Sequence, residues 1–356
     1  MYRLLRFAGP GKVEIIESQS VALQPGEVRV RTLFSGISAG TEMTAYRGTN
    51  PYLTSVWNPG IRLFQQDLRE PRLGYPLDGW GYSEVGEVVE VAAVPDPVDE
   101  GKDAGRPVKV GDTVWGIWGH QSEAILPAKT VAGHQLPEGM DPLAAVFVRV
   151  GAIALNAVLA ADLGVGSTVA IFGQGVIGLL ATRFAVLNGA TVIAVDGIRV
   201  RQNKALAWGA EEALAPDPDP AARIRELTGG MGCDCAIELS GNYRALHEAT
   251  RAVGADGTVV AAGFYQGGAA PLRLGEEFHH NRVQILASQI GSVPNRLRTR
   301  WSVPRLEQTV IASIASGALD TASLVTHRFD VADAAKAYEL LDNNPESALQ
   351  TVLEFR

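Results

Sequence analysis

Two hydrophobic rhythms divide the chain. Up to about residue 135 apolar and polar positions alternate, as in Val28-Arg-Val-Arg-Thr-Leu and Gly86-Glu-Val-Val-Glu-Val, and Gly111-Asp-Thr-Val-Trp reads as a turn into a strand. That period of two is the mark of half-buried strands. From about Leu143 short apolar runs take over and alternate with helical stretches. The pattern predicts a helix over 142–162, strand Thr168–Phe172, helix Leu179–Asn188, strand Thr191–Val195 and a helix over Gln202–Trp208. A helix near 221–227, strand Cys233–Leu239, helix Tyr243–Val253, strand Thr258–Gly263 and strand Val283–Ser288 follow. Buried strands each followed by a helix predict a doubly wound parallel sheet, an α/β fold. Helical tracts near 306–316 and 332–341 and a closing strand Leu349–Phe355 do not extend the repeat. The closing strand is expected to return to the β-rich part. The predicted division is therefore 1–149 with 290–356 as one domain and 150–289 as the other. Gly48–Pro76 and Pro95–Gly105 read as loops, the first long enough to suggest a lid or binding loop.

The junction of strand 168–172 and its helix holds Gly173-Gln-Gly-Val-Ile-Gly178, a G-x-G-x-x-G turn. Gly173 permits the tight turn, Gly175 lets backbone approach a pyrophosphate, and Gly178 lets helix pack on strand. The helix N-terminus, with Gln174, Val176 and Ile177, offers free N–H groups and a positive dipole end to phosphate. Asp196 ends the next strand eighteen residues after Gly178, where a carboxylate would accept the ribose hydroxyls and repel a 2′-phosphate. NAD is the expected cofactor, although Arg199 and Arg201 stand close enough to greet a phosphate. Further cofactor contacts are expected at the carboxyl ends of the sheet strands: Gly197, Ser240 and Gly241, Gly263 and Phe264, Ser288 and Gln289.

Composition narrows the partners. A net charge of -8 and a pI near 5.4 argue against nucleic acid and anionic membrane surfaces. No basic-then-apolar leader opens the sequence, and Arg149, Asn156 and Asp162 interrupt the richest apolar run, so no membrane span is expected. Cys233 and Cys235 are the only cysteines, which excludes a disulfide framework and a four-cysteine zinc site. Small strand residues in a reducing cytoplasm are the expected reading of both.

The order of motifs resembles the medium-chain dehydrogenase/reductase superfamily, the alcohol dehydrogenase type. Its carriers are Ser35-Gly-Ile-Ser-Ala-Gly-Thr-Glu42, Gly81-Tyr-Ser-Glu-Val-Gly86, Gly111-Asp-Thr-Val114, the fingerprint and Thr351-Val-Leu-Glu-Phe355. The resemblance covers essentially the whole chain and implies a GroES-like β-rich catalytic domain beside a Rossmann domain, with homodimers or homotetramers paired through the edge strand 283–288. Zinc members resemble G-I-C-G-T-D and G-H-E where this chain has Ser38 and Tyr82. The third ligand position, near Val148–Gly151, holds no Cys, Asp or Glu. No catalytic metal is expected. The first two motifs look most like the bacteriochlorophyllide a dehydrogenase-like branch. Some members carry an arginine for the pyrophosphate before the closing T-V-L; here that residue is Gln350.

Without zinc, hydrogen-bond donors or a general acid/base must serve the substrate oxygen. The resemblance puts Ser38, Thr41 and Tyr82 at the former metal site and its relay, with Tyr82 as acid/base, Thr41 as relay and Ser38 as added donor. His120, in Trp118-Gly-His-Gln-Ser-Glu, is either a proton-transfer residue or a surface turn histidine. Trp57, Trp80, His279 and Arg300 are candidates for substrate contact, as are Arg62, His280 and Trp301. The expected activity is NAD-dependent interconversion of a secondary alcohol, of polyol or sugar type, and a ketone. Reduction of an enone or quinone, or NAD(H) binding without turnover, are the alternatives.

Overall fold

The computed structural model describes residues 1–65, 74–93 and 106–356. The Pro95–Gly105 loop and the 66–73 part of the first loop lie outside them. The chain divides into two compact units, Met1–Arg149 with Asp320–Arg356, and Val150–Leu319.

The first unit is built on mostly antiparallel strands. Its larger sheet runs Val325–Asp330, Gln350–Glu354, Glu27–Ile37, Glu84–Val91 and Thr113–Gly116, with Glu123–Pro127 also paired to Glu27–Ile37. Among the described residues of this unit, only the Val325–Asp330/Gln350–Glu354 pairing is parallel. A second sheet joins Lys12–Ser18, Tyr2–Gly9 and Leu77–Asp78. The long Glu27–Ile37 strand shows the alternation the sequence predicts at its start, with Val28, Val30 and Thr32 buried and Arg31 exposed. Val28 and Val30 pack with Val88, Val114 and Trp118 into one core cluster. At the strand's end the period breaks: Ser35, Gly36 and Ile37 are all buried. The closing strand pairs antiparallel with Phe34–Ile37, so the chain does return to its first unit.

The second unit holds one parallel six-stranded sheet in the order Glu212–Leu214, Thr191–Val195, Thr168–Phe172, Cys233–Glu238, Val253–Ala261, Gln284–Ala287. In chain order this is 3-2-1-4-5-6, the Rossmann arrangement, with its switch point beside the first strand. Val169–Phe172 and Val192–Val195 are buried, as strands covered on both faces must be.

Three expectations are corrected. The second boundary falls at Leu319/Asp320 instead of 289/290. Helix Val303–Ala315 buries Leu306 and Val310, and a Cβ at Gly151 would meet Val310 Cγ1 at 2.6 Å, so residues 290–319 pack with the second unit. The strand expected at Thr258–Gly263 starts at Val253 and ends at Ala261. The interrupted apolar run becomes a continuous helical stretch, Pro142–Ala160, long and apolar enough by composition to cross a membrane. It is 67% buried in the protein, the behaviour of a core helix. Cys233 and Cys235 are both buried, and burial pushes the Cys233 thiol up to about 12.

Candidate active site

In the second unit the glycine turn has the backbone its spacing predicts. Gly173 adopts φ +88°, and a Cβ at Gly178 would lie 1.8 Å from the Gly173 carbonyl oxygen, so neither position admits a side chain. A Cβ at Gly175 would meet nothing within 4 Å: the turn is open on that side. The helix Val176–Leu187 starts there with no side-chain cap on its N-terminal N–H groups. Asp196 closes the second strand and ties the turn to it. One carboxylate oxygen accepts the Gln174 N–H at 2.6 Å and the other the Ile198 N–H at 2.8 Å.

A cavity of about 1100 Å³ opens at this end of the sheet, lined by Gly173, Asp196, Gly197 and Ser240 among others. Gly241 lines a second, smaller hollow with Ser240. Glu238, which sequence reasoning missed, ends the fourth strand and organises the Ser240–Gly241 turn. Its carboxylate accepts the backbone N–H groups of both residues, the Ser240 hydroxyl and the Tyr265 phenol. Burial raises its carboxyl above the usual range, against the pull of these donors. An acid ending an apolar strand, as Asp196 does, was the signal for it.

Other cofactor candidates are occupied locally. Arg201 is half-buried on helix Arg199–Ala207, and a Cβ at Gly263 would meet the Gly241 nitrogen at 2.3 Å. Phe264 is exposed. Ser288 Oγ accepts a long 3.4 Å bond from Asn156, and Gln289 folds back on the Gly291 N–H. Gln350 is turned into the first unit's sheet, donating to the carbonyls of Ile37 and Thr351.

In the first unit Ser38, Thr41, Tyr82 and His120 come together. Ser38 stands just past the Glu27–Ile37 strand, and Tyr82 just before the Glu84–Val91 strand that pairs with it. The Ser38 Oγ and Tyr82 hydroxyl are hydrogen-bonded, and the Thr41 N–H reaches Ser38 Oγ at 3.4 Å. Burial, with the negative charge of Glu42, raises the Tyr82 phenol, whereas hydrogen bonds to Ser38 and Thr41 and the nearby Arg149 oppose the rise.

His120 is not a surface turn residue. It is 1% exposed and lies among groups that sequence reasoning missed: Ser35, Glu42, Glu84 and Tyr338. Its Nε2 is 2.6 Å from Glu42 Oε2 and its Nδ1 2.5 Å from Ser35 Oγ. Ser35 donates to Glu84 Oε1 at 3.0 Å, and Tyr338 donates to Glu42 Oε2 at 2.6 Å. Glu42 Oε1 accepts the Ser38 N–H at 2.8 Å. The two carboxylates raise the His120 imidazole against the opposing effect of its burial, and burial raises the Glu84 carboxyl. Glu42 and Glu84 lie inside the two motifs quoted above, so their acidity was visible. Tyr338 gave no signal.

The substrate candidates do not gather. Trp80 spends its ring on the core, edge-on to Phe7, and its carbonyl accepts the His120 N–H. Trp57 packs on Phe64 in the short Val56–Asn58/Leu63–Gln65 hairpin, with Arg62 at its exposed turn. His279 and His280 are exposed in the second unit, edge-on to each other. The Arg300 carbonyl is taken by Arg305, which also covers the Trp301 ring. Among the described residues, His247, Glu276 and Glu277 are the group with metal-ligand spacing.

A GroES-like unit and a Rossmann unit with a fingerprint turn define the architecture of a medium-chain dehydrogenase/reductase. The family model described as zinc-binding dehydrogenase matches residues 176–306. A probable zinc-binding alcohol dehydrogenase of Mycobacterium tuberculosis is 31% identical over 344 residues, covering 93% of this chain and 83% of that one. The D-guloside 3-dehydrogenase of Escherichia coli is 29% identical over 351 residues, covering 97% and 98%. The crystal structure of 2R,3R-butanediol dehydrogenase from Bacillus subtilis superposes with a TM-score of 0.77 at 22% identity, covering 99% of each chain. This chain belongs to the zinc-binding dehydrogenase family of the medium-chain dehydrogenase/reductase superfamily, and it is an oxidoreductase of the alcohol–ketone type.

Proposed function

We propose that the protein interconverts a secondary alcohol of a sugar or polyol and its ketone, with NAD as hydride partner and without a catalytic zinc. The observation that carries this reading is the hydrogen-bonded Ser38–Tyr82 pair, with Thr41 beside it, at the positions of two family metal ligands. The donor set does not fit zinc. Hydroxyls of serine and tyrosine bonded to each other replace thiolate and imidazole, and both ring nitrogens of His120 are engaged. Oxygen-side chemistry then falls to Tyr82, whose protonated phenol gives its proton to the ketone oxygen as the carbon receives hydride and which, in the reverse direction, takes the alcohol proton as the phenolate, with Ser38 and Thr41 holding it in place.

The nicotinamide supplies hydride acceptance when bound. The residues of the second unit fit a dinucleotide: the open Gly175 turn and uncapped helix start suit a pyrophosphate, and the Asp196 carboxylate favours an unphosphorylated ribose. The sugar-type substrate is supported by the D-guloside 3-dehydrogenase relative, aligned over nearly its full length. We further infer a cytoplasmic homodimer or homotetramer paired through the largely exposed edge strand Gln284–Ala287, and membership of the bacteriochlorophyllide a dehydrogenase-like branch. A panel of glycosides, polyols and simple secondary alcohols, followed by NADH absorbance with NAD and NADP compared, tests the reading. Turnover of a sugar-type substrate with NAD, unchanged by chelator, is expected. Activity lost on chelation and restored by zinc would overturn the metal-free chemistry.

A further inference from the structure

We propose that Glu42 and His120 are positioning residues for the Ser38–Tyr82 pair: the buried string Glu84–Ser35–His120–Glu42 closes a ring that holds the two hydroxyls against each other. The inference rests on the role given above to Tyr82 and Ser38.

The ring can be traced atom by atom. Backbone pairing between the two carrier strands runs out just before the hydroxyls: Ser35 pairs with Glu84, and the Gly36 N–H donates to the Ser83 carbonyl. Beyond that point Ser38 is gripped by Glu42, whose Oε1 takes its backbone N–H, while its backbone carbonyl accepts the Glu42 N–H. Glu42 Oε2 meets His120 Nε2, His120 Nδ1 meets Ser35, and Ser35 meets Glu84, two residues from Tyr82. The Ser38–Tyr82 hydrogen bond closes the circuit. Tyr338 buttresses it from the C-terminal helix Ala334–Asn343 through the same Glu42 oxygen.

Two further features show that the chain makes room for this string. Gly81, next to Tyr82, has φ +120°, and a Cβ there would lie 2.5 Å from Glu84 Oε1 and 3.0 Å from the His120 ring. The Glu42 and His120 side chains are 0% exposed. Burying such ionisable groups costs stability that apolar residues would not, and positioning is one gain that offsets it. The donor count gives the string one shared proton with two seats, the first of them on His120. Ser35 donates to Glu84, so it accepts from His120 Nδ1, and Nε2 donates to Glu42. His120 is then an imidazolium; moving its Nδ1 proton through Ser35 to Glu84 gives the equivalent tautomer. The charged or titratable groups facing the string are Glu42, Glu84, Tyr82, Tyr338 and Arg149.

The test is made on full-length protein carrying ¹³Cζ-tyrosine, with the Tyr82 resonance assigned by Tyr82→Phe and its hydrogen-bonded position calibrated by Ser38→Ala. Glu42→Gln and His120→Gln are expected to move the Tyr82 signal to where Ser38→Ala puts it, and Glu42→Asp to restore part of the shift. Ser35→Ala, a smaller change, gives the same readout if the charged variants fail to fold. With a turned-over substrate from the panel, Glu42→Gln is expected to lower kcat about 100-fold, the scale of a 1 Å misplacement, at unchanged NADH affinity. A Tyr82 signal left in place by Glu42→Gln and Ser35→Ala, while Ser38→Ala moves it, overturns the proposal. A silent panel with a moving Tyr82 signal overturns the assigned reaction instead.

Discussion

The two units answer the same requirement, a fixed polar geometry, with different materials. In the second unit it is made by backbone: three glycines, a helix start, and acids at strand ends that grip N–H groups. In the first unit it is made by buried side chains drawn from five separated places, Ser35, Glu42, Glu84, His120 and Tyr338. A backbone site is specified by where side chains must be missing, so at Gly173 and Gly178 it tolerates no added atom. A side-chain site is specified by charge and hydrogen bonding, so isosteric changes should disable it without unfolding it.

That contrast is broken most directly at Gly178. Because its Cβ would fall 1.8 Å from the Gly173 carbonyl oxygen, Gly178→Ala must shift the helix or the turn. We expect a loss of about 3 kcal/mol, the upper range of overpacking, together with loss of NADH binding, read by thermal melts and fluorescence titration. In Tyr82→Phe the opposite is expected: the fold and NADH affinity are kept, and kcat falls about 100-fold, the lower range for a proton-transfer group. Steady-state kinetics on the panel substrate decides it, and unaltered turnover in Tyr82→Phe would remove its acid/base role. Asp196→Ser should loosen both cofactors by freeing the Gln174 and Ile198 N–H groups. The NADP/NAD ratio of kcat/KM should rise about tenfold, equivalent to about 1.4 kcal/mol.

The same contrast explains what the sequence revealed. The doubly wound sheet, the turn and Asp196 were legible because glycine spacing and apolar runs are local signals, and most strands lie within a few residues of where the pattern puts them. The alternation in Glu27–Ile37 was legible until Ser35, where a polar residue turns inward to meet Glu84 and His120. A buried polar network breaks the rule by which strands are read, so its members look like ordinary surface positions. His120 was open between two readings for that reason: nothing near it in sequence supplies its partners, which lie 78 and 85 residues away. The 290–319 segment was misassigned because helix Val303–Ala315 declares its apolar face but not which core receives it.

The smallest effect expected is in stability, and it carries a sign. His120 is raised above its ordinary 6.5 by Glu42 and Glu84 acting against desolvation. The stability this adds is fully present below 6.5 and is lost as pH rises through the higher folded value. Glu84 is raised from 4.5 mainly by burial. The folded state therefore disfavours its charge, and stability is also lost as pH rises from 4.5 through its folded value. Both groups bind more protons folded than unfolded, so they act in the same direction. Thermal midpoints of the first unit's unfolding should fall as pH rises above neutrality. Glu84→Gln removes one carboxylate that raises His120 and deletes its own titration, so the slope should become shallower. The difference between pH 6.5 and pH 9 should shrink by about 1 kcal/mol, the scale of one hydrogen bond. In the second unit burial raises the Glu238 carboxyl in the same sense, a contribution that Glu84→Gln leaves in place, and the buried Cys233 thiol titrates only at about 12. A slope that Glu84→Gln leaves unchanged would mean that the proton on the string is not shared between His120 and Glu84, and the two regions would then differ in composition alone.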